Sequence, residues 1–391
     1  MISGLRFKQS DASDHEDRQF VSLGSVADYG KKRSLEKDQI YVGTEDLLKD
    51  FGGVRLIRKD QCEGISFVKG DILLSNIRPY LKKMWMANCD GVCSPDVLVI
   101  RSKAVTPAYL FSILSSNAFF QHIAEGYKGS KMPRGDKKQI LEYSFRLHAS
   151  HEEQQKIAAF FTTLDKKISI EERKAHLMCD CLRKVLCQIF NQWKYFVERD
   201  VVLEQLPLRQ FVSAIKEKNC NKQCTLVLTN SAEYGVVAQS DFFDRKIAQD
   251  RNIDKYTVVK KGDFIYNPRI SKTAPAGPIK RSKIDEGVVS PLYTVFRINN
   301  GQISGEYLRW YFESGEWIPY AKSVANYGAR FDRMNISNQD FFDMPIPIPE
   351  KETQDRICNF LNVLQKKVTL QEEKVITLQK VKQAFMQQMF V

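Results

Sequence analysis

Residues 151–190 read HEEQQKIAAFFTTLDKKISIEERKAHLMCDCLRKVLCQIF, and residues 351–390 read KETQDRICNFLNVLQKKVTLQEEKVITLQKVKQAFMQQMF. The two align without a gap at an offset of 200, with identities at Gln154/Gln354, Ile157/Ile357, Phe160/Phe360, Leu164/Leu364, Lys166/Lys366, Lys167/Lys367, Glu172/Glu372, Lys174/Lys374 and Phe190/Phe390. In the first copy Ile157, Phe161, Leu164, Ile168, Glu171, Ala175, Met178, Leu182, Val185 and Ile189 follow alternating steps of four and three. The second copy gives Ile357, Leu361, Leu364, Val368, Gln371, Val375, Leu378, Lys382, Phe385 and Met389. No Pro or Gly interrupts either run, so each predicts a long helix with an a/d seam of about five heptads. Two ordinary amphipathic helices in separate domains are the alternative. Matched length and matched seams favour antiparallel pairing with each other inside one chain, with the polar residues Glu171 and Gln371 facing each other in mid-seam.

Outward from the helices the repeat continues more loosely. Lys69-Gly70-Asp71-Ile72-Leu73 recurs as Lys261-Gly262-Asp263-Phe264-Ile265, Gly91-Val92-Cys93-Ser94-Pro95 as Gly287-Val288-Val289-Ser290-Pro291, and Tyr109-Leu110 as Tyr307-Leu308. Leu23-Gly24-Ser25-Val26 matches Leu208-Arg209-Gln210-Phe211 at the start of each unit. A repeat of this period sets the plan of the whole chain, and 391 residues suffice for several cores. The expected segments are a globular domain at 1–150, a helix at 151–195, a second globular domain at 196–350 and a second helix at 351–391. Ile72-Leu73-Leu74, Val97 to Ile100, Val258-Val259, Phe264 to Tyr266 and Tyr293 to Phe296 predict short strands. Tyr109 to Ile123 and Tyr307 to Tyr320 predict helices. Each unit is therefore α+β and led by a sheet.

The chain carries 43% hydrophobic and 27% charged residues and a net charge of +12, the composition of a folded protein whose basic surplus favours polyanion partners, a requirement that anionic membranes and ribosomes would also satisfy. The opening MISGLRFKQSDASDHEDRQF places acids where an export signal needs apolar residues, and the longest uncharged run, Ala104 to Ala124, is too polar to span a bilayer. A cytoplasmic protein is expected, with no membrane partner. Nine cysteines in pairs such as Cys89/Cys93, Cys179/Cys181 and Cys220/Cys224 lack the spacing of a zinc site and predict reduced structural thiols. No metal is expected.

The helical segments are nearly neutral, with seven basic against six acidic residues over 152–190 and six against four over 352–390. The positive surplus therefore belongs to the globular units. One cluster follows the first KGD turn (Asn76, Arg78, Tyr80, Lys82, Lys83) and another follows the second (Asn267, Arg269, Ser271, Lys272). Each unit ends in a polar loop, with Lys128, Ser130, Lys131 and Arg134 in the first and Tyr327, Arg330 and Arg333 in the second. Lys280 and Arg281 add a further patch. Arg can bond guanine bidentately, Asn can do so to adenine, and Lys fixes register on phosphates. The set makes a candidate DNA surface, although any one of these residues alone reads equally as a solvated charge.

The segments EEQQKIAAFFTTLDKKI and ETQDRICNFLNVLQKKV, the run Pro345 to Pro349, the stretches KGDILLSNIRPYLKK and GVCSPDVLVIR, and the opening LRF resemble the specificity subunits of Type I restriction-modification systems. The resemblance covers nearly the whole chain and is most specific in the two helical repeats. It implies two target-recognition domains, held by conserved helices in an antiparallel coiled coil and reading a bipartite duplex DNA target. It further implies two modification subunits that methylate adenine with S-adenosylmethionine, a cofactor carried by them and not by this chain, and ATP-dependent restriction subunits that translocate and cleave. The first copy departs from the pattern at Phe145-Arg146-Leu147-His148, where the second has Pro-Ile-Pro, so the approach to the first helix is expected to differ.

No glycine motif for S-adenosylmethionine, D/N-P-P-Y/F tetrapeptide or P-loop is present, which argues against a stand-alone methylase. Asp71 and Asp263 recur in the KGD turns, where an aspartate capping its own loop is the simplest reading. A bivalent scaffold without DNA remains the other alternative, and salt-dependent duplex binding separates it from the DNA reading. A 39-residue helix spans about 58 Å at ~1.5 Å per residue. The expected target is two unlike half-sites about one helical turn apart, ~34 to 36 Å, with the coil as ruler.

Overall fold

The computed structural model describes residues 19–127, 133–148, 150–192, 196, 203–242, 250–326 and 332–390. The chain divides into two compact units, Met1–Lys174 with Gln371–Val391, and Ala175–Leu370. Both expected helices form, His151–Gln192 and Lys351–Phe390, and each passes from one unit into the other. Acidic residues occupy their first turns, Glu152 and Glu153 in one and Glu352 in the other, where they oppose the positive helix terminus.

The helices pair antiparallel. Within the first unit Ile157 and Phe161 pack with Met386, Met389 and Phe390 in one core. Within the second, Leu186, Ile189 and Phe190 pack with Ile357, Cys358 and Leu361. Ile157, Phe161, Ile168, Ile357, Leu361 and Val368 are buried, whereas Leu164, Leu182, Leu364 and Leu378 are half-buried. Burying a side chain such as Phe161 contributes roughly 1.5 to 3 kcal/mol, so the seam is a principal source of stability. Its polar positions are satisfied too, because Lys382, 6% exposed, bonds Asp165 at 2.5 Å.

Each unit contains a four-stranded antiparallel sheet of the same connectivity. In the first unit the order is Ala27–Tyr29, Val97–Ser102, Ile72–Ser75, Met84–Met86, and in the second Val212–Ala214, Thr294–Ile298, Phe264–Tyr266, Ile279–Arg281. The central strands carry apolar runs at 72–74, 97–100, 264–266 and 295–296 because both faces are covered there. Ile72, Leu74, Leu98 and Ile100 face the helical core, while Leu73, Val97 and Val99 face a second core with Val42 and Phe67. The second unit repeats this, with Phe264 and Phe296 on one side and Ile265 and Val295 on the other. The outer layers differ: Arg33–Val42, Ile57–Phe67 and Gly91–Cys93 close a small barrel in the first unit, and two separate hairpin-like pairs stand in the second.

Each stretch expected as one helix is two. Pro107–Leu114 gives way to Asn117–Glu125, whose cap is Ser116 accepting from the Phe119 N–H at 3.2 Å. In the second unit Gly305–Ser314 ends at Gly315, which takes a φ of 80° to turn the chain into Ile318–Val324. The approaches to the long helices are alike despite their different sequences. Ser144–Leu147 pairs with Gln19–Ser22, and Pro345–Ile348 with Glu204–Pro207. Tyr109 Oη bonds His148 Nδ1 at 2.7 Å, and Tyr307 Oη donates to the Pro347 carbonyl at 2.6 Å. Gln154 and Gln354, both buried, donate to the carbonyls of His148 (2.7 Å) and Pro349 (3.0 Å), which accounts for their identity in the two copies.

Candidate nucleic-acid interface

The KGD aspartates anchor both sites. Asp71 Oδ2 accepts from the Val68 N–H at 2.9 Å and Asp263 Oδ2 from the Lys260 N–H at 2.7 Å, so each caps its own turn. Each also receives a bidentate guanidinium, Arg101 at 2.8 and 2.6 Å and Arg297 at 2.6 and 2.9 Å. The carboxylate raises both arginines above their ordinary pKa, chiefly through its hydrogen bonds. These two arginines have no counterpart among the residues expected from sequence. They carry a structural role, fixing the strand from which each basic loop emerges.

In the first unit the loop after Ile72–Ser75 is held by backbone bonds from Asn76 N–H to Asp96 O and from Arg78 N–H to Pro133 O, both 2.9 Å. Arg78 and Lys82 adopt left-handed φ of 50° and 47° around the short turn Pro79–Leu81, and abutting Asp50 and Phe51 take 51° and 60°. The N–H groups of Asp50 and Phe51 donate to Leu81 O and Lys82 O at 3.0 and 3.1 Å. Left-handed backbone at non-glycine residues costs about 1 to 3 kcal/mol each, so this strained pair of segments is held by its surroundings. Arg78 and Tyr80 are exposed as a result, and Arg78 has no ion pair among the described residues.

The neighbouring cations are engaged by acceptors of the protein itself. Lys82 Nζ donates to Asn117 Oδ1 and Lys83 Nζ to Thr44 O, both at 2.7 Å, and Arg134 pairs with Asp96 at 3.1 Å. Asn76 is buried, with Oδ1 lacking a hydrogen-bond partner. Lys128, Ser130, Lys131, Tyr327 and Arg330 lie outside the described residues.

In the second unit Asn267 is buried, donating from Nδ2 to Asn230 O at 3.0 Å and accepting the Arg269 N–H at 3.1 Å. Gly277, at φ 78°, lies so close to this residue that a Cβ would stand 2.1 Å from the Asn267 carbonyl oxygen, so only glycine fits. Ser271 accepts the Ala274 N–H at 3.1 Å and shapes the turn that leaves Arg269 and Lys272 exposed. Lys280 and Arg281 instead reach Glu313 at 3.5 Å and Glu306 at 2.8 Å, tying the edge strand to the helix Gly305–Ser314.

Arg333 lines a cleft of about 1200 Å³ whose other walls include Arg209, Lys216, Lys218, Tyr293 and Asn335. Lys216 and Lys218 escaped the sequence reading because Glu217 between them makes the run look like an ordinary mixed-charge surface; their signal is position, just beyond the strand Val212–Ala214. Among the described residues no three His, Cys, Asp or Glu side chains form a metal-binding group, Cys89, Cys93, Cys179, Cys181, Cys187, Cys220, Cys224 and Cys358 are free thiols, and no helix is long and apolar enough to cross a membrane.

Residues 15–176 match the family model of the Type I restriction modification DNA specificity domain. A 76-residue stretch is 36% identical to the Type I restriction enzyme EcoDI specificity subunit of Escherichia coli, covering 19% of this chain and 17% of that relative. The alignment thus spans about a sixth of the relative's length. The fold is similar to that of a chain in a structure of the type I R-M system described for its complex assembly and conformational transition (TM-score 0.59, 16% identity, 96% of this chain and 98% of that one). It is also similar to the Type-I restriction-modification system S subunit from M. genitalium (TM-score 0.56, 12% identity, 97% and 98%).

Proposed function

We propose, from the match of residues 15–176 to the family model of the Type I restriction modification DNA specificity domain, that the chain is the DNA-recognition subunit of such a system and reads a bipartite duplex target, one half-site per recognition domain. The domains are residues 1–150 and 196–350, with the helices 151–195 and 351–391 between and after them. The observation that carries this reading is the recurrence, in both units, of one sheet order with one Asp–Arg clamp, from which exposed basic loops project. Two units alike in framework and unlike in loops suit two unlike half-sites.

Arg78, Tyr80, Arg269, Lys272 and Arg333 are the described residues best placed to meet DNA; Lys128, Ser130, Lys131, Tyr327 and Arg330, outside the described residues, belong to the same proposed set. Asn76, Lys82, Lys83, Arg134, Asn267, Ser271, Lys280 and Arg281 shape and anchor those loops. In this reading the chain performs no chemistry. It recruits two modification subunits, which bring S-adenosylmethionine and methylate adenine, and restriction subunits that use ATP, all in the cytoplasm. Adding the purified chain to its modification subunits should confer methylation on one bipartite motif. Duplex affinity that does not fall with salt would refute the reading, since phosphate neutralisation releases counterions.

A further inference from the structure

The first strand of both sheets hands the chain to a cationic segment at the same framework position. Ala27–Tyr29 pairs with Val97–Ser102 so that Asp28 lies opposite Arg101, and Val212–Ala214 pairs with Thr294–Ile298 so that Ser213 lies opposite Arg297. Because Arg101 and Arg297 are the two clamp arginines, this register defines equivalence without reference to loop length. The next contact repeats as well: Gly30 N–H donates to Val99 O and Ile215 N–H to Val295 O, both at 2.8 Å. Counted from there, Lys31 is equivalent to Lys216 and Arg33 to Lys218. All four are exposed, and none has a carboxylate partner among the described residues. Lys218 Nζ meets the Thr257 hydroxyl at 3.0 Å.

In the second unit these two lysines line the cleft together with Arg333. The acid in that lining, Asp343, is already ion-paired to Arg209, and neither lysine has an ion pair among the described residues. Arg333 Nε is shielded from solvent without a hydrogen-bond partner. A volume of about 1200 Å³ exceeds the roughly 300 to 1,000 Å³ of small-molecule sites and suits a polyanion laid across it.

We propose that Lys31 with Arg33, and Lys216 with Lys218, are equivalent phosphate-gripping pairs, one for each recognition domain, which neutralise the duplex backbone without reading sequence. The proposal rests on the DNA reading given above. Sequence is read by groups that differ between two unlike half-sites, whereas phosphate is common to every target. Cations at one framework position in two domains with different loops fit the common element. Lysine, which supplies three of the four, acts as a point charge rather than a bidentate fork.

The test uses the full chain, a duplex carrying the bipartite site and an unrelated duplex of equal length, with affinity measured across a salt series. K216A/K218A and K31A/R33A are each expected to flatten the slope of log affinity against log salt by about 2 and to weaken both duplexes alike. K216R/K218R is expected to keep the wild-type slope. Unchanged slopes in the alanine variants, or loss confined to the specific duplex, overturn the phosphate assignment while leaving DNA recognition intact. A wild-type chain with no salt-dependent duplex binding overturns the underlying DNA reading instead.

Discussion

Gln371 donates from Nε2 to the Glu171 carboxylate at 2.7 Å and to the Glu171 carbonyl at 3.1 Å, joining corresponding positions of the two helices. Lys374 adds an ion pair to the same carboxylate at 2.6 Å. A polar pair inside an apolar seam fixes register at some cost in stability. Gln371→Leu is therefore expected to lower stability by about 1 kcal/mol, by removing the two hydrogen bonds that Gln371 donates to Glu171. The double variant E171L/Q371L is expected to melt above the single one. Thermal melts followed by circular dichroism check the order, and a double variant less stable than the single one would contradict it.

The same site gives a pH dependence. Hydrogen bonds from Lys374 and then Gln371 hold the Glu171 carboxyl below its ordinary 4.5. A carboxylate whose pKa is depressed on folding contributes stability that is present above 4.5 and lost as pH falls through the lower folded value. Glu171→Gln is expected to flatten the melting temperature against pH below that point and to leave the slope near neutrality unchanged. Identical acid limbs in wild type and variant would remove Glu171 from the account.

Arg78→Ala and Arg330→Ala are each expected to cost about 1 to 3 kcal/mol of target binding and to relax discrimination at one base position. Lys166→Ala and Lys366→Ala, on the coil, are expected to change neither. Fluorescence anisotropy with single-base target variants measures both quantities.

The clamps are expected to act through stability. Asp263 is fully buried, and Asp263→Asn leaves Arg297 without its bidentate partner, a loss of about 2 kcal/mol. Denaturant unfolding measures it. A variant of unchanged stability that failed to bind DNA would give the carboxylate a direct role instead.

The seam was readable from spacing alone, down to the Glu171/Gln371 contact, because a heptad pattern states which face is buried. The central strands were equally plain, as continuous apolar runs bounded by turn residues. The helix breaks at Ser116 and Gly315 were missed because a short cap and one left-handed glycine hardly disturb an amphipathic pattern. The basic loops were found as segments but not resolved by residue. Whether a lysine points to solvent or to a carbonyl, as Lys83 does to Thr44, depends on contacts remote in sequence. Arg101 and Arg297 were hidden for the same reason, since their partners Asp71 and Asp263 lie in the turns that lead into a neighbouring strand.

Mapping methylated adenines across a genome that expresses the partner modification subunits, with and without this gene, tests the central claim most directly. The account predicts one bipartite motif, two unlike short half-sites separated by unread bases, which is methylated when the gene is present and unmethylated when it is deleted. Methylation unchanged by the deletion, or a single uninterrupted motif, would contradict it.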